Sequence, residues 1–140
     1  MNALSSAIWT QLKGGTALLA LLGGGTAGTA IYEDHAPSTA VYPYVIFNQQ
    51  AGTWQQTDGE HTRFADFVYQ VKGVSSNAYP KEASAIDAQI DARLHNATLS
   101  VTGYGLMQCA RESDIQYSEL SGNQTFQNVG ALYRITLQKS

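Results

Sequence analysis

The feature that most constrains this chain is a pair of alternating segments separated by a polar stretch. Apolar and polar side chains alternate with a period of two in Tyr44 to Gln50 and again in Arg63 to Lys72. The stretch between them, Ala51 to Thr62, contains Asp58-Gly59 and is typical of a long hairpin loop. Because no crossover helix fits between the two segments, the sequence predicts an antiparallel pair of strands.

Helical periodicity is found elsewhere in the chain. The segment Pro80 to His95 is predicted to be the main amphipathic helix, because its large apolar residues fall on one side: Ala83, Ile86, Ile90 and Leu94. Near the start of the chain, Asn2 can cap a first helix that Gly14-Gly15 ends and whose apolar stripe is Leu4, Ile8 and Leu12. A short second helix, Ala17 to Leu22, is expected to stop at the glycines that follow.

The remaining segments are shorter. Strands are predicted at Thr98 to Val101 and Ala131 to Gln138, and Leu106 to Arg111 with Ile115 to Tyr117 form either two strands or one bent strand. A second polar loop is predicted at Ser118 to Asn128. Together these elements predict the α+β class: an antiparallel sheet with one main amphipathic helix packed on it and a short N-terminal helical region. We expect a single domain over residues 1–140, with the helical region at 3–22 and a mixed strand and helix body at 29–138.

Charge is scarce in this sequence. Only 14% of residues are charged, and the 8 Lys and Arg against 11 Asp and Glu give a formal net charge of −3. No run of basic residues occurs, so specific binding of nucleic acid is not expected. Neutral polar side chains take the place of the missing charge. Such a surface loses little when water is removed from it, which favours association with other protein chains.

No pattern in the sequence points to catalysis. His35, His61 and His95 lie in separate segments without zinc-ligand spacing, and the lone Cys109 lies in an apolar stretch typical of a buried structural thiol. The stretch Gly23 to Gly28 follows a helix and lacks the Gly-Lys-Ser/Thr ending of a phosphate-binding loop. We therefore expect no enzyme activity, no catalytic residue, no metal site and no cofactor.

The polar loops contain two aromatic residues. A tryptophan in the first loop either folds back onto its own hairpin or anchors a contact with another protein, since buried Trp is enriched at interface hot spots. Phe126 raises the same alternative in the second loop. The candidate interface residues are Trp54, Gln55, Gln56, Thr57, Asp58, Glu60 and Phe126.

The segment from Gly15 to Ala30 imitates a secretion signal, because Lys13 precedes an apolar run and small residues follow it. A plausible amphipathic helix, however, occupies the place of the short basic region that should come first. The apolar run is also far shorter than the roughly 18 residues that a membrane span requires. The signal-like segment keeps a secreted binding domain open as an alternative. Because the apolar run is too short to span a membrane, no membrane association is expected.

The order of these segments resembles a known family. The resemblance rests on the N-terminal helices followed by a Gly turn, and on Ile31-Tyr32, Ala36-Pro37, Tyr42-Pro43-Tyr44-Val45, the strand from Arg63 to Val71, the single amphipathic helix and Gly130-Ala131-Leu132-Tyr133-Arg134. Over roughly residues 3 to 138 the chain is similar to the small tail-completion and tail-terminator proteins of long-tailed phages.

This resemblance implies a structural virion protein. Members of the family are expected to form a ring, typically a hexamer, that caps the growing tail tube, stops its polymerisation and offers a surface to the head. The implied partners are further copies of the chain, the tail tube protein and the head–tail connector protein, while DNA passes through the ring without specific binding. The implied location is the head-proximal end of the tail, after assembly in the host cytoplasm.

The expected ring would give a role to two acidic residues of the first polar loop. If Asp58 and Glu60 face the lumen of the ring, their charges would repel DNA and let it slide.

A neck or head–tail connector subunit remains open as an alternative within the same class, because tail terminators and connectors are both small ring-forming proteins.

Overall fold

The computed structural model describes residues 2–24, 30–56 and 63–139. In chain order, the elements are α1 (Asn2–Lys13), α2 (Thr16–Leu21), β1 (Ile31–Glu33), β2 (Tyr44–Gln56), β3 (Arg63–Ser75), α3 (Lys81–Leu94), β4 (Tyr104–Ser121) and β5 (Gln124–Lys139). The strands form one five-stranded sheet in the order β1-β2-β3-β5-β4. No helix in the described part is long and apolar enough to cross a membrane.

The sheet is mixed, and the prediction of a purely antiparallel sheet is wrong in this respect. β2, β3, β5 and β4 pair antiparallel, whereas β1 pairs parallel with β2 through Ile31 opposite Val45. The direction of β1 depends on the path of residues 34–43, which return the chain to the start of β2 before it enters the sheet. A strand of three residues carries too little pattern for its partner or direction to be read from the sequence.

The helices all pack on one face of the sheet. Period-two alternation directs one set of strand residues toward them, and these side chains are almost wholly buried: Val45, Phe47, Ala65, Phe67, Tyr69, Val71, Ala131, Tyr133, Ile135 and Leu137. Gly73 lets α3 approach the sheet closely, because a Cβ at that position would lie 2.7 Å from the Ile86 side chain. The predicted apolar stripes of both long helices are confirmed as core.

The helical layer contains more than one main helix. α1 has 12 residues and α3 has 14, so the predicted contrast between one main helix and a short helical region does not hold. The Ser5 and Tyr69 hydroxyls, buried and 2.8 Å apart, form a hydrogen bond between α1 and β3. Leu18 and Leu19 of α2 lie in the same core. Burial of each large apolar side chain contributes roughly 2 kcal/mol before conformational entropy is counted.

The first predicted loop is partly a strand. β2 continues through Gln56, and a β-bulge between Gln49 and Ala51 shifts its register against β3. After the bulge, Gly52 and Trp54 pair with Phe67 and Ala65 and so share the helix-covered face. The bulge explains the error: an extra residue breaks the alternation that marks the rest of the strand. Residues 57–62 lie outside the described part of the chain.

The second predicted loop is wrong for most of its length. Ser118 to Asn128 forms the end of a long hairpin in which β4 and β5 pair up to Ser121 and Gln124. Gly122 has a φ of 63°, which makes the two-residue turn possible. The strand predicted at Thr98 to Val101 is reduced to one bridge between Val101 and Tyr104. The polar side chains misled the prediction because both faces of the hairpin tip meet solvent.

Candidate interaction surfaces

Trp54 lies at the end of the sheet where β2 finishes and β4 begins. Its indole packs edge-on against Phe67, with ring centroids 5.8 Å apart, and lies 6.0 Å from the Tyr104 ring. The Arg63 guanidinium sits 4.8 Å from the centre of the indole, within cation–π range. Trp54 nevertheless stays 40% exposed. It therefore folds back onto its own hairpin and still exposes part of its surface.

Phe126 lies at the opposite end of the sheet, in the tip of the β4–β5 hairpin. Its ring centroid is 5.0 Å from that of Tyr42, and Tyr42 in turn lies 4.8 Å from Tyr44. Tyr32 packs edge-on against Tyr44 at 5.7 Å. Burial, followed by the hydrogen bond with Tyr42, raises the pKa of the Tyr44 phenol. These four rings form a continuous aromatic row on the face of the sheet that the helices leave uncovered.

The two aromatic anchors predicted from the sequence are not brought together. Trp54 shares a row of the sheet with Leu137, and Phe126 lies 11 residues earlier in β5, which corresponds to about 35 Å along the strand. Gln55 is exposed beside Trp54, and the backbone of Gln56 ends β2. Thr57, Asp58 and Glu60 lie outside the described residues, as does His61. The predicted interface residues that the structure describes thus belong to two ends of the sheet.

Several exposed apolar residues escaped the sequence analysis. At the hairpin-tip end Leu120 is 79% exposed, Val41 61%, Tyr117 38% and Tyr42 36%, and Leu120 lies on the opposite face of the hairpin from Phe126. At the Trp54 end, Met107 bulges outward and is 57% exposed. A leucine such as Leu120 in an otherwise polar segment was the available signal. We define the tip surface as Val41, Tyr42, Tyr117, Leu120 and Phe126, and the base surface as Trp54 and Met107.

The helix-free face of the sheet is half-buried, and charged groups on it form hydrogen bonds within the sheet. Arg134 donates to Glu112 at 2.9 Å, Thr136 donates to Asp66 at 2.6 Å, and Lys72 donates to the hydroxyl of Tyr117. Such a face offers neither a strong positive field for phosphates nor a convergent polar site for a small ligand.

An ion cluster joins α3 to β4. The Arg111 guanidinium donates two hydrogen bonds to Asp87, at 3.0 and 2.9 Å, and one to Asp114 at 2.8 Å, while Asp91 lies 3.6 Å away. The hydrogen bonds to Asp87 are the largest cause that raises the pKa of Arg111. Tyr133 donates to Asp91 at 3.3 Å, which completes the cluster. The cation is already surrounded by carboxylates, so the cluster holds two elements together and leaves no open position for chemistry.

The remaining titratable residues are scattered. His35 and His95 are exposed on different elements, and the Nδ1 of His95 accepts from the backbone N–H of Arg111 at 3.1 Å. Cys109 is 2% exposed, as predicted for a structural thiol, and burial raises its pKa to about 11. Within residues 2–24, 30–56 and 63–139, no group of three or more His, Cys, Asp or Glu is placed to hold a metal ion.

Comparison with known proteins gives the class to which this fold belongs. The chain is a structural tail protein of a phage-like virion. Specifically, it belongs to the family of tail completion protein gp17, whose model matches residues 6–137. The resemblance drawn from the sequence is thereby confirmed.

A solved structure shares the fold. A chain in the virion of a native gene transfer agent (GTA) particle superposes with a TM-score of 0.75, covering 98% of this chain and 96% of that chain. The two sequences are 18% identical, so the likeness establishes a common fold. No curated protein sequence matches this chain.

Proposed function

We propose that this tail completion protein is a subunit of a ring at the head-proximal end of the tail tube, where it stops tube growth and offers a surface to the head. One observation carries the proposal beyond the family assignment. Large exposed apolar side chains occur at both ends of the long strands, in the tip surface and in the base surface. A subunit held between two different neighbours needs a contact surface at each end.

The two surfaces differ in a way that suits two partners. The tip surface is broad, stands on a hairpin that extends past the end of β3, and includes the most exposed leucine of the described residues, Leu120. The base surface is small and centred on one tryptophan, the residue type most enriched among interface hot spots. We propose that one end contacts the tail tube protein and the other contacts the head–tail connector protein.

Ring closure follows from symmetry. A head-to-tail contact between identical subunits that closes by rotation ends growth, whereas one that does not close makes a fibre. A hexamer is the size that the family resemblance implies. The paired charges on the uncovered sheet face suit a subunit past which DNA moves without specific binding. The acidic lumen proposed for Asp58 and Glu60 concerns residues that the structure does not describe.

Complementation of a virus lacking this gene tests the proposal. Electron microscopy of the lysate should show tubes of irregular length and unattached heads without the protein, and uniform tails joined to heads when it is supplied. Leu120→Ser in the tip surface and Trp54→Ala in the base surface should each impair one of these two steps. Leu21→Ser, at an exposed position on α2, is the matched control and should complement fully.

The alternative function, a neck or head–tail connector subunit, predicts a different result in electron microscopy. A neck or connector subunit would leave tube length uniform in the absence of the protein and would affect only the joining of heads. That outcome would overturn the capping role while leaving the structural role in the tail intact.

A further inference from the structure

We propose that neighbouring copies in the ring are joined by strand addition, with the exposed edge of β2 from one copy pairing with the exposed edge of β4 from the next. The inference rests on the proposed ring and names its lateral contact. We define the β2 edge as Ala51–Gln56 and the β4 edge as Ser113–Ser121. Each belongs to an outer strand of the sheet over the stretch in question.

The β2 edge lies beyond the part of β2 that pairs with β1. β1 pairs with β2 only from Val45 to Phe47, and the N–H of Asp34 donates to the Phe47 carbonyl at 2.9 Å. Beyond that point, none of the described segments pairs with the outer side of the β2 edge. Ala51, Thr53 and Gln55 are exposed there. A strand in this position presents a row of backbone donors and acceptors that another strand can use.

β4 likewise has one half that other residues cover and one half that they leave uncovered. Residues after α3 cover the first half of the strand, because Asn96 N–H donates to the Cys109 carbonyl at 2.8 Å and His95 accepts from Arg111. Among the described residues, this cover ends at Arg111. From Ser113 to Ser121 every side chain is exposed except the half-buried Ile115. The first half of β4 is therefore covered on its outer side, whereas none of the described residues covers the second half, from Ser113 to Ser121.

Neither edge carries a lysine or a proline, two of the residues that usually prevent strand pairing. Natural sheets protect exposed edges with lysine, proline or inward-pointing charge. Ala51–Gln56 contains no charged residue and no proline. Ser113–Ser121 contains no lysine, arginine or proline, and its two carboxylates are engaged within the chain, Asp114 by Arg111 and Glu119 by Asn128. The bulges beside Gln50 and Glu112 lie before the two edges begin, and each edge itself keeps regular pairing with its inner neighbour. A second copy is the natural occupant, since every chain brings both edges.

Strand direction is compatible with head-to-tail pairing. Three antiparallel steps separate β2 from β4, so the two strands run in opposite directions. Rotation about a ring axis preserves strand direction along that axis, so β4 of one copy meets β2 of the next as an antiparallel neighbour. The edges lie toward opposite ends of the sheet, and their pairing therefore requires strands inclined to the ring axis, as in any closed barrel.

Cysteine cross-linking in assembled particles tests the pairing. Thr53→Cys is combined in one chain with a single cysteine at each position from Ser113 to Glu119, and particles are treated with copper phenanthroline. Thr53 faces the helix-free side with Asp66, as do Ser113, Ile115, Tyr117 and Glu119 on β4. Cross-linked ladders of two or more chains should appear only at these odd positions, near one register. The buried Cys109 should not react.

Two controls make the test specific. Thr53→Cys with Met107→Cys places an equally exposed thiol on the covered half of β4 and should give no ladder. Thr53→Lys should abolish ring formation by adding a charge to the β2 edge, while Thr102→Lys, in an exposed turn outside both edges, should leave it unchanged.

The outcomes separate this inference from the ring itself. Rings that persist in Thr53→Lys, or cross-links without the two-residue period, would overturn edge pairing and leave the proposed function standing. Particles in which no variant cross-links, together with tails of normal length in the absence of the protein, would overturn both.

Discussion

Arg111 links β4 to α3 through its ion pair with Asp87. Arg111→Ala would leave the half-buried Asp87 without its bidentate partner and remove the link between α3 and β4. Because hydrogen bonds to charged groups are among the stronger ones, we expect the free energy of unfolding to fall by about 2 kcal/mol. Urea denaturation followed by circular dichroism measures this change.

Arg134 provides the matched control for that experiment. It forms an ion pair with Glu112 at 2.9 Å on the exposed face, where solvent screens the charges. Arg134→Ala should therefore change stability much less than Arg111→Ala. Equal losses in the two variants would show that the cluster around Arg111 adds nothing beyond an ordinary surface pair.

Cys109 gives a dependence of stability on pH. Its folded pKa of about 11 exceeds the ordinary value of 9.0, so the unfolded chain loses the thiol proton first. The stability contributed by the neutral thiol is fully present below pH 9 and is lost as the pH rises toward 11. Cys109→Ala lacks this loss. The difference in unfolding free energy between the native protein and this variant should therefore shift in favour of the variant over that interval.

Buried tyrosines affect both proteins alike in that experiment. Burial raises the pKa of Tyr44, Tyr69 and Tyr133 above the ordinary value of 10.0, so each adds a loss of stability of the same sign that begins near pH 10. Comparison of the native protein with Cys109→Ala cancels this common part. A difference that stays constant from pH 8 to pH 11 would contradict the assigned burial of the thiol.

The β4–β5 hairpin depends on one turn. Gly122 has a φ of 63° with no atom near its hypothetical Cβ, so Gly122→Ala meets no clash but must adopt a left-handed backbone. We expect a loss of about 1 kcal/mol in unfolding free energy. Gly105→Ala, where the nearest atom is 3.8 Å away and φ is not left-handed, should be close to neutral. Thermal melts of the two variants would distinguish backbone strain from a general effect of added volume.

The elements themselves were predicted unevenly. α3 and the core-facing residues of β3 and β5 follow from the sequence, since a regular period identifies which side is buried. The outer half of β2 and the hairpin tip do not, because bulges break the period and polar residues cover both faces. The tip surface was missed for the same reason: Tyr42 and Phe126 meet only after the strands have paired.

At the scale of the whole molecule, axial and lateral contacts should be separable. Val41→Ser alters only the tip surface, at a position outside both edges, and should still form rings, whereas Thr53→Lys alters only the β2 edge and should remain monomeric. Light scattering after size-exclusion chromatography of concentrated protein measures both. Loss of rings in Val41→Ser would show that the tip surface is part of the lateral contact and would contradict the division of roles.

The sequence by itself determined the class of fold, the buried faces of the main elements, the structural role of Cys109 and the resemblance to tail completion proteins. These depend on local periodicity and on residue order, which the chain carries without reference to its partners. Only the tertiary structure decided that β1 runs parallel to β2, that Trp54 and Phe126 lie at opposite ends, and which parts of β2 and β4 stay uncovered. Direction, distance and exposure arise from contacts between segments far apart in the chain, and no local pattern contains them.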